Sequence, residues 1–466
     1  MTAPAPSLSS IPVSCLPVLD EAFLPAALWN RAYRGLAADA AGSREIDLAL
    51  VRPDGTAFRW SSPLLPDEPA HAPTTLRYVE RILKFLLWQK GGSRVLIAGA
   101  PELVPALAAI YGPDGARDFD SGFIGGKIFG EPISFHAVAK DELPAESGEA
   151  IALGRHLGGC RIGFDLGGSD RKCAALIDGE VVFSEEIVWD PYFQSNPDYH
   201  IEGVQDSLMR AAAHLPRVDA IGGSSAGVYV NNEVRAASLF RGVSDSDFET
   251  RIKGMFFELK ERWKGIPFEV VNDGEVTALA GSMSLNENAV LGVAMGTSEA
   301  AGYVDTNGSI RPWLNELAFA PVDYRDSGPL DEWSGDEGCG VQFFSQQGVA
   351  RLAKAAGFEF GGMPFPEQLV EVQKAMKSGD GRARKIYETI GTCFGYAIAH
   401  YADFYEIRNL LILGRVTSGE GGDIIIAGAE KVLATEFPAL RIKLVVPDEK
   451  TKRHGQAVAA ASLAAV

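Results

Sequence analysis

The run Gly163-Phe164-Asp165-Leu166-Gly167-Gly168-Ser169 ends an apolar stretch in an acid and turns at once through two glycines to a hydroxyl. Backbone N–H groups of such a turn, with Ser169, suit a phosphate, and Asp165 at the strand end suits Mg²⁺ held through water. An ordinary Gly-Gly hairpin turn reads equally from this motif alone. Later, Gly292-Val293-Ala294-Met295-Gly296-Thr297-Ser298 repeats the design of strand, glycine turn and hydroxyl. Two such turns suggest two lobes gripping one polyphosphate. Between them, Phe268–Val271 ends in Asn272-Asp273 and leads into a helical pattern at Val276–Gly281. Asp273 reads either as a helix N-cap or as the carboxylate that accepts a hydroxyl proton in phosphoryl transfer. In the second case Asn272 fixes a neighbouring hydroxyl. Finally, Leu411–Leu413 runs into Gly414-Arg415-Val416-Thr417-Ser418-Gly419. That loop suits a nucleotide's base and ribose, or is a plain strand-to-helix connection.

The elements that must hold these residues follow from periodicity. Asp47–Val51 and Thr56–Trp60 across Pro53-Asp54-Gly55 form a hairpin, followed by a helix over Leu76–Trp88, a strand over Arg94–Ile97 and a helix over Glu102–Ile110. Residues 138–148 read as a linker, and residues 1–22, rich in Pro, Ser and Ala, as an arm. A second unit opens on the strand Cys160–Leu166 and the hairpin Lys172–Ile177/Glu180–Glu186. Helix Ile201–His214, strand Ala220–Ser224 and helix Asp245–Trp263 come next. A further hairpin pairs Val290–Met295 with Ala300–Asp305, with Thr306-Asn307-Gly308 read as its turn. Helix Arg382–Tyr405, strand Leu410–Leu413, a helix from Gly422, strand Arg441–Val446 and an Ala-rich helix finish the chain. Two α/β lobes, each with a mixed sheet opening on a hairpin, would produce this order.

Composition narrows the classes. Lys and Arg number 43 against 61 acids, a formal charge of −18, so no basic face for nucleic acid is expected. No apolar run approaches the ~20 residues of a membrane span. The N-terminus lacks a signal-peptide pattern, and a cytoplasmic location is expected. Cys15, Cys160, Cys173, Cys339 and Cys393 are scattered without CxxC spacing and read as reduced, buried thiols.

Taken in order, DLGGS, VVNDGE, GVAMGTS and LILGRVTSG resemble the phosphate-1, connecting, phosphate-2 and adenosine segments of the sugar kinase/actin/Hsp70 superfamily. The ROK family of repressors and sugar kinases is the nearest likeness, over about residues 159–466. The resemblance implies a two-lobed actin-like ATPase (ribonuclease H-like) fold, with lobes at 159–285 and 286–466 after an N-terminal α/β region at 1–158. That first region has no winged-helix signal and is either a degenerate extra lobe or an unrelated α/β unit. The implied activity is an ATP-dependent sugar kinase using Mg²⁺; a non-catalytic sugar- or nucleotide-binding sensor is the alternative. Small molecules are the expected partners, and a homodimer is left open. By position, Asp165, Gly167, Gly168, Ser169, Gly296, Thr297, Gly414 and Thr417 would bind nucleotide, with Mg²⁺ on Asp165 through water. Asp273 would be the general base, and Asn272, Glu316 and Ser238 the sugar ligands.

The likeness breaks at several positions. Within Asn315-Glu316-Leu317-Ala318-Phe319, Phe319 replaces the histidine of the family's GEIGH segment, and Val341 replaces a sugar-binding glutamate. Ser238 stands for the usual Asn. Cys339 is the single cysteine of what is usually a three-cysteine zinc site, so no structural zinc is expected. In the second phosphate turn Ser298, Ala300 and Ala301 replace glycines, and Glu299 is expected to add negative charge near the phosphates. Asp326 and Glu337 are candidates to compensate for Val341. Asp331, Glu332, Asp336 and Glu337 otherwise read as a solvated loop. Met255, Phe256, Phe257 and Leu259 read as a core face, and His200, His214, His400 and His454 as surface or core residues.

Overall fold

The computed structural model describes residue 8 and residues 11–147, 153–446 and 449–466, without the side chains of 449–454. The start of the expected arm and the His454 side chain therefore lie outside the described residues. Among those residues, β1 (Arg44–Val51), β2 (Ala57–Leu64), β3 (Arg94–Ala98) and β4 (Ser134–Ala137) form a sheet of order β2-β1-β3-β4. The chain continues through β5 (Cys160–Leu166), β6 (Asp170–Ile177), β7 (Glu180–Val188) and β8 (Ala220–Ser225). A separate hairpin, β9 (Val228–Val230) and β10 (Glu233–Ala236), precedes β11 (Phe268–Asn272). The first-lobe sheet has the order β11-β8-β5-β6-β7. The second lobe holds β12 (Val290–Met295), β13 (Glu299–Val304), β14 (Asn409–Leu413) and β15 (Lys443–Val445), ordered β13-β12-β14-β15. Each lobe thus has a mixed sheet with an opening hairpin, the actin-like arrangement.

Register explains why the chemistry collects at one edge. Strands β5, β8 and β11 run parallel, with Asp165 beside Ser224 and Asn272 beside Ser225. In the other lobe β12 and β14 run parallel with Ala294 beside Leu413, so Gly296 and Gly414 both follow strand ends. Ligands of open α/β sheets collect outside such carboxyl ends. Strand β5 is buried along its whole length because helices cover both faces, whereas the edge strand β7 alternates and shows Glu180 to solvent.

Two helices cross the expected lobe boundary. The helix Asp273–Leu285 packs on β12 and β13, and the final helix Glu449–Ala461 packs back on β5, β6 and β8 of the first lobe. That return depends on glycine. A Cβ on Gly163 or Gly222 would collide with the carbonyls of Ala457 and Ala460.

The N-terminal sheet shares its strand order with the second lobe but not its polarity. β3 is antiparallel to β1, whereas β14 is parallel to β12. The arm is docked: Cys15 N donates to Tyr396 Oη (3.2 Å), and Asp20 pairs with Arg325 (2.5 Å) and Arg351 (2.7 Å). The linker reading of 138–148 also changes over its described part. Leu143 is buried, and Ala57 N donates to Ser147 Oγ (3.0 Å), fastening the segment to β2. The helix expected over Asp245–Trp263 is broken into Asp245–Asp247, a π-turn at Phe248–Ile252 and Met255–Arg262. Met255, Phe256 and Leu259 are core, but Phe257 is exposed, so the core face is narrower than the run of apolar letters. No described helix is long and apolar enough to cross a membrane.

Candidate functional site

Asn272, not Asp273, caps the helix that follows β11. Asn272 Oδ1 accepts from Gly274 N (2.7 Å), and its Nδ2 donates to Gly227 O (2.7 Å). A cap of this kind is worth about 1 kcal/mol. Asp273 is the first helical residue, with Oδ1 3.1 Å from Gly274 N as a secondary contact. Its carboxyl is pushed up to about 6, first by burial and then by the charge of Asp165. Glu316 is pushed up to about 7, again by burial first and by Asp273 second. The three carboxylates Asp165, Asp273 and Glu316 are therefore electrostatically linked through Asp273. Tyr229, whose phenol feels the Asp273 charge, is half-buried with its Oη 2.6 Å from Ser225 Oγ.

The Gly167–Asp170 turn closes through Gly167 N donating to Asp170 O (2.9 Å), and Trp189 Nε1 donates to Gly167 O (2.8 Å). Ser169 Oγ donates to Asp170 Oδ2 (3.0 Å). Burial raises Asp165 above its usual range, while Lys172, at 3.7 Å, opposes that rise. Lys172 is shared with Asp170 at 3.2 Å. A single partly shielded carboxylate beside a phosphate turn fits Mg²⁺, which keeps several waters and needs only one or two carboxylates besides phosphate oxygens. Among the described residues no three His, Cys, Asp or Glu side chains converge as a protein-only metal site.

In the second lobe the β12–β13 hairpin turns at Gly296-Thr297-Ser298, where Gly296 N donates to Ser298 O (2.9 Å). Thr306-Asn307-Gly308 is not this turn. It follows β13, where Asp305 Oδ1 accepts from Asn307 N and Ser309 N, each at 2.9 Å. Thr297 is exposed on its turn. Gly414 has φ +98°, and a Cβ there would strike the backbone of Met295, so the Gly414–Gly419 loop lies directly against the end of β12. Thr417 is buried with Oγ1 donating to Gly414 O (3.0 Å), which makes it a buttress of the loop. Ser238 is exposed in a short turn after β10, and no described contact joins it to the carboxylates.

Glu299 overturns its expected role. It faces the second-lobe interior, where Tyr401 Oη donates to Oε1 (3.2 Å) and Gly340 lies against Oε2. Pairing opposite Met295 of β12 fixes its side chain on the buried face of the strand. Burial lifts its carboxyl from 4.5 to about 8, so at neutral pH it carries little charge. A raised folded value means stability is fully present below about 4.5 and is lost as pH rises towards 8, at ~1.4 kcal/mol per pH unit for one such group. Glu299→Gln should remove that share of the loss between pH 5 and 8, read from urea unfolding. Parallel curves for variant and parent would refute the inward placement.

The segment Asn315–Phe319 rests on the N-terminal unit, a relation no sequence signal marked. Leu314 N and Asn315 N donate to Gln89 O, and Glu316 N donates to Trp88 O, so the segment caps the helix Ala72–Lys90. Phe319 stacks on Trp88 with ring centroids 4.3 Å apart. The supposed solvated acidic loop is half interior: Asp331 and Asp336 are buried. Asp336 pairs with Arg81 (3.1 Å), Lys84 (2.9 Å) and Arg117 (2.6 Å). Lys84, fully buried, also pairs with Asp120 (2.8 Å). Cys339 lies in this charged cluster, its thiol raised first by burial, and Val341 sits in a small apolar cluster with Ala318 and Cys339. Neither compensator for Val341 turns inward for that task. Asp326 pairs with Arg77 (2.8 Å), and Glu337 Oε2 accepts from Ser327 N (2.8 Å). All five cysteines are free and buried, and His200 and His400 are buried too.

No protein-family model matches the sequence, and no curated protein matches it. Solved structures do. A ROK hexokinase from Thermus thermophilus superposes with a TM-score of 0.53 at 18% identity, over 66% of this chain and 97% of that one. A ROK-family transcriptional regulator, described as a homolog of the E. coli MLC protein, gives 0.51 at 20% identity over 65% of this chain and 78% of that one. The likeness establishes the fold: about two thirds of this chain has the two-lobed actin-like architecture of those ROK proteins.

Proposed function

We propose that this protein is an ATP-dependent kinase for a sugar hydroxyl, with Asp273 as general base. The observation that carries the reading is a carboxylate at the end of β11 that Asn272 frees from capping, raised to about 6 by burial and by the charge of Asp165, and itself acting on Glu316. The hydroxyl oxygen of the sugar forms a bond to the γ-phosphorus as the bond from that phosphorus to the β,γ-bridging oxygen breaks. The bridging electron pair leaves with ADP, and the hydroxyl proton passes to Asp273. Asn272 Nδ2 and Oδ1, each with one further hydrogen-bonding capacity, and Glu316 orient the sugar. Gly167, Gly168, Ser169, Gly296 and Thr297 bind the phosphates, and Gly414 lets the adenosine loop close on them. Asp165 would hold Mg²⁺ through water, and the ion when bound neutralises phosphate charge.

Coupled ADP release measured over a panel of aldoses, amino sugars and N-acyl sugars with Mg·ATP tests the reading. With an active sugar, kcat/KM should rise about tenfold per pH unit below pH 6 and level off above it, because the base works deprotonated. A flat profile between pH 5 and 7 would reject Asp273 as the titrating group.

One observation favours a second reading, a sugar- or nucleotide-binding sensor. Phe319 and Val341 are committed to internal apolar contacts, so two polar ligands expected from the resemblance are absent. Saturable sugar binding by calorimetry, with no turnover for any sugar that binds, would select it.

A further inference from the structure

A built cluster on the first lobe lies outside the residues so far assigned. Tyr192 and Phe193 belong to the loop after β7, and Arg241 to the turn after β10. A Cβ on Gly168 would collide with the Tyr192 hydroxyl, which places this loop on the first phosphate turn. The Arg241 guanidinium carbon is 4.1 Å from the Tyr192 ring centroid and 5.0 Å from that of Phe193. Phe193 itself is 76% exposed. The two loops are tied from below by the fully buried His200, whose Nε2 is 3.0 Å from Pro191 O and 3.2 Å from Leu239 O. Gly242 packs on the backbone of Phe193 and Gln194, where a Cβ would not fit.

Charge gives this cluster its meaning. Asp273 feels the charge of Asp165 and acts in turn on Glu316, and Lys172 is already shared by Asp165 and Asp170. A nucleotide triphosphate brings more negative charge to the same turn. Among the described residues Arg241 has no carboxylate within ion-pair distance, in contrast to its neighbours Arg235 and Arg251, which pair with Glu233 and Asp198. Aromatic faces hold a guanidinium without neutralising it, and its planar fork matches phosphate oxygens.

We propose that Arg241 is a ligand of the terminal phosphoryl group of a nucleotide seated on the Gly167–Ser169 turn, with Tyr192 and Phe193 as its aromatic rests. The proposal deepens the kinase reading and rests on it. Arg241 forms no covalent bond and exchanges no proton; it neutralises charge on the group being transferred.

Calorimetric titration of the full chain with Mg·AMP-PNP, and separately with AMP, tests this. Arg241→Gln should weaken AMP-PNP at least tenfold and leave AMP unchanged, since AMP lacks the terminal group. Arg241→Lys should recover part of the loss, and Arg251→Gln, whose parent residue is held by Asp198, should bind as the parent does. Parent-like AMP-PNP affinity in Arg241→Gln, or equal losses for both nucleotides, would overturn the assignment. If the parent chain binds no nucleotide at all, the kinase reading fails and takes this assignment with it.

Discussion

Asp273→Asn should lower kcat by ~10²–10⁴-fold while sugar affinity and folding stay close to those of the parent. The substitution keeps size and hydrogen bonding but removes the charge and proton affinity on which the transfer depends. Helix capping offers no competing explanation, because Asn272 supplies the cap. Its charge acts unfavourably on Asp165 and Glu316, so loss of that charge relieves repulsion and should leave the thermal midpoint equal or slightly higher. Steady-state kinetics with the best sugar, beside a melting curve, checks both halves. Undiminished turnover in the variant would remove Asp273 from the chemistry, and a large fall in melting temperature would make it structural.

Lys84→Met should cost ~3–5 kcal/mol of unfolding free energy, because it leaves Asp120 and Asp336 buried without their shared cation. Arg81 and Arg117 still reach Asp336, whereas Asp120 retains chiefly the Trp88 Nε1 donor at 3.1 Å. Burial already raises the Asp120 carboxyl and Lys84 opposes that rise, so without Lys84 its protonated form is favoured further. The loss should therefore be largest at alkaline pH and smaller at pH 5, read from urea midpoints. A cost below about 1 kcal/mol at pH 8 would show that the cluster does not brace the loop.

That brace has a consequence for the site. The helix Ala72–Lys90 offers its carbonyl end to the Glu316 segment and its cationic flank to Asp336. The N-terminal unit thus holds both ends of the stretch that carries a proposed sugar ligand. Ion pairs made by Arg81 and Lys84 of that helix with Asp336 lie beside the buried thiol of Cys339.

Local chemistry made much of this readable in the sequence. Strand runs, the Asp54-Gly55 and Asp178-Gly179 turns, and acids at the ends of apolar strands depend on neighbours a few residues away, and β1, β5, β6, β8, β11, β12 and β14 lie close to where periodicity puts them. The ordered motifs around Asp165, Asp273, Gly296 and Gly414 carried the resemblance that implies the two-lobed fold, and parallel pairing places each of them at a strand end. What the tertiary structure decided are the fates of individual charged groups and the company each element keeps. Asp336 reads as solvated because its partner Arg81 is 255 residues away in the chain. Glu299 reads as a phosphate neighbour until pairing with β12 assigns its face. The final helix, read as part of the second lobe, belongs on β5 because Gly163 and Gly222 admit its backbone. The physical reason is common to all three. A strand or turn is stabilised by its own residues, whereas the burial of a charge or the docking of a helix is decided by groups that only folding brings within reach.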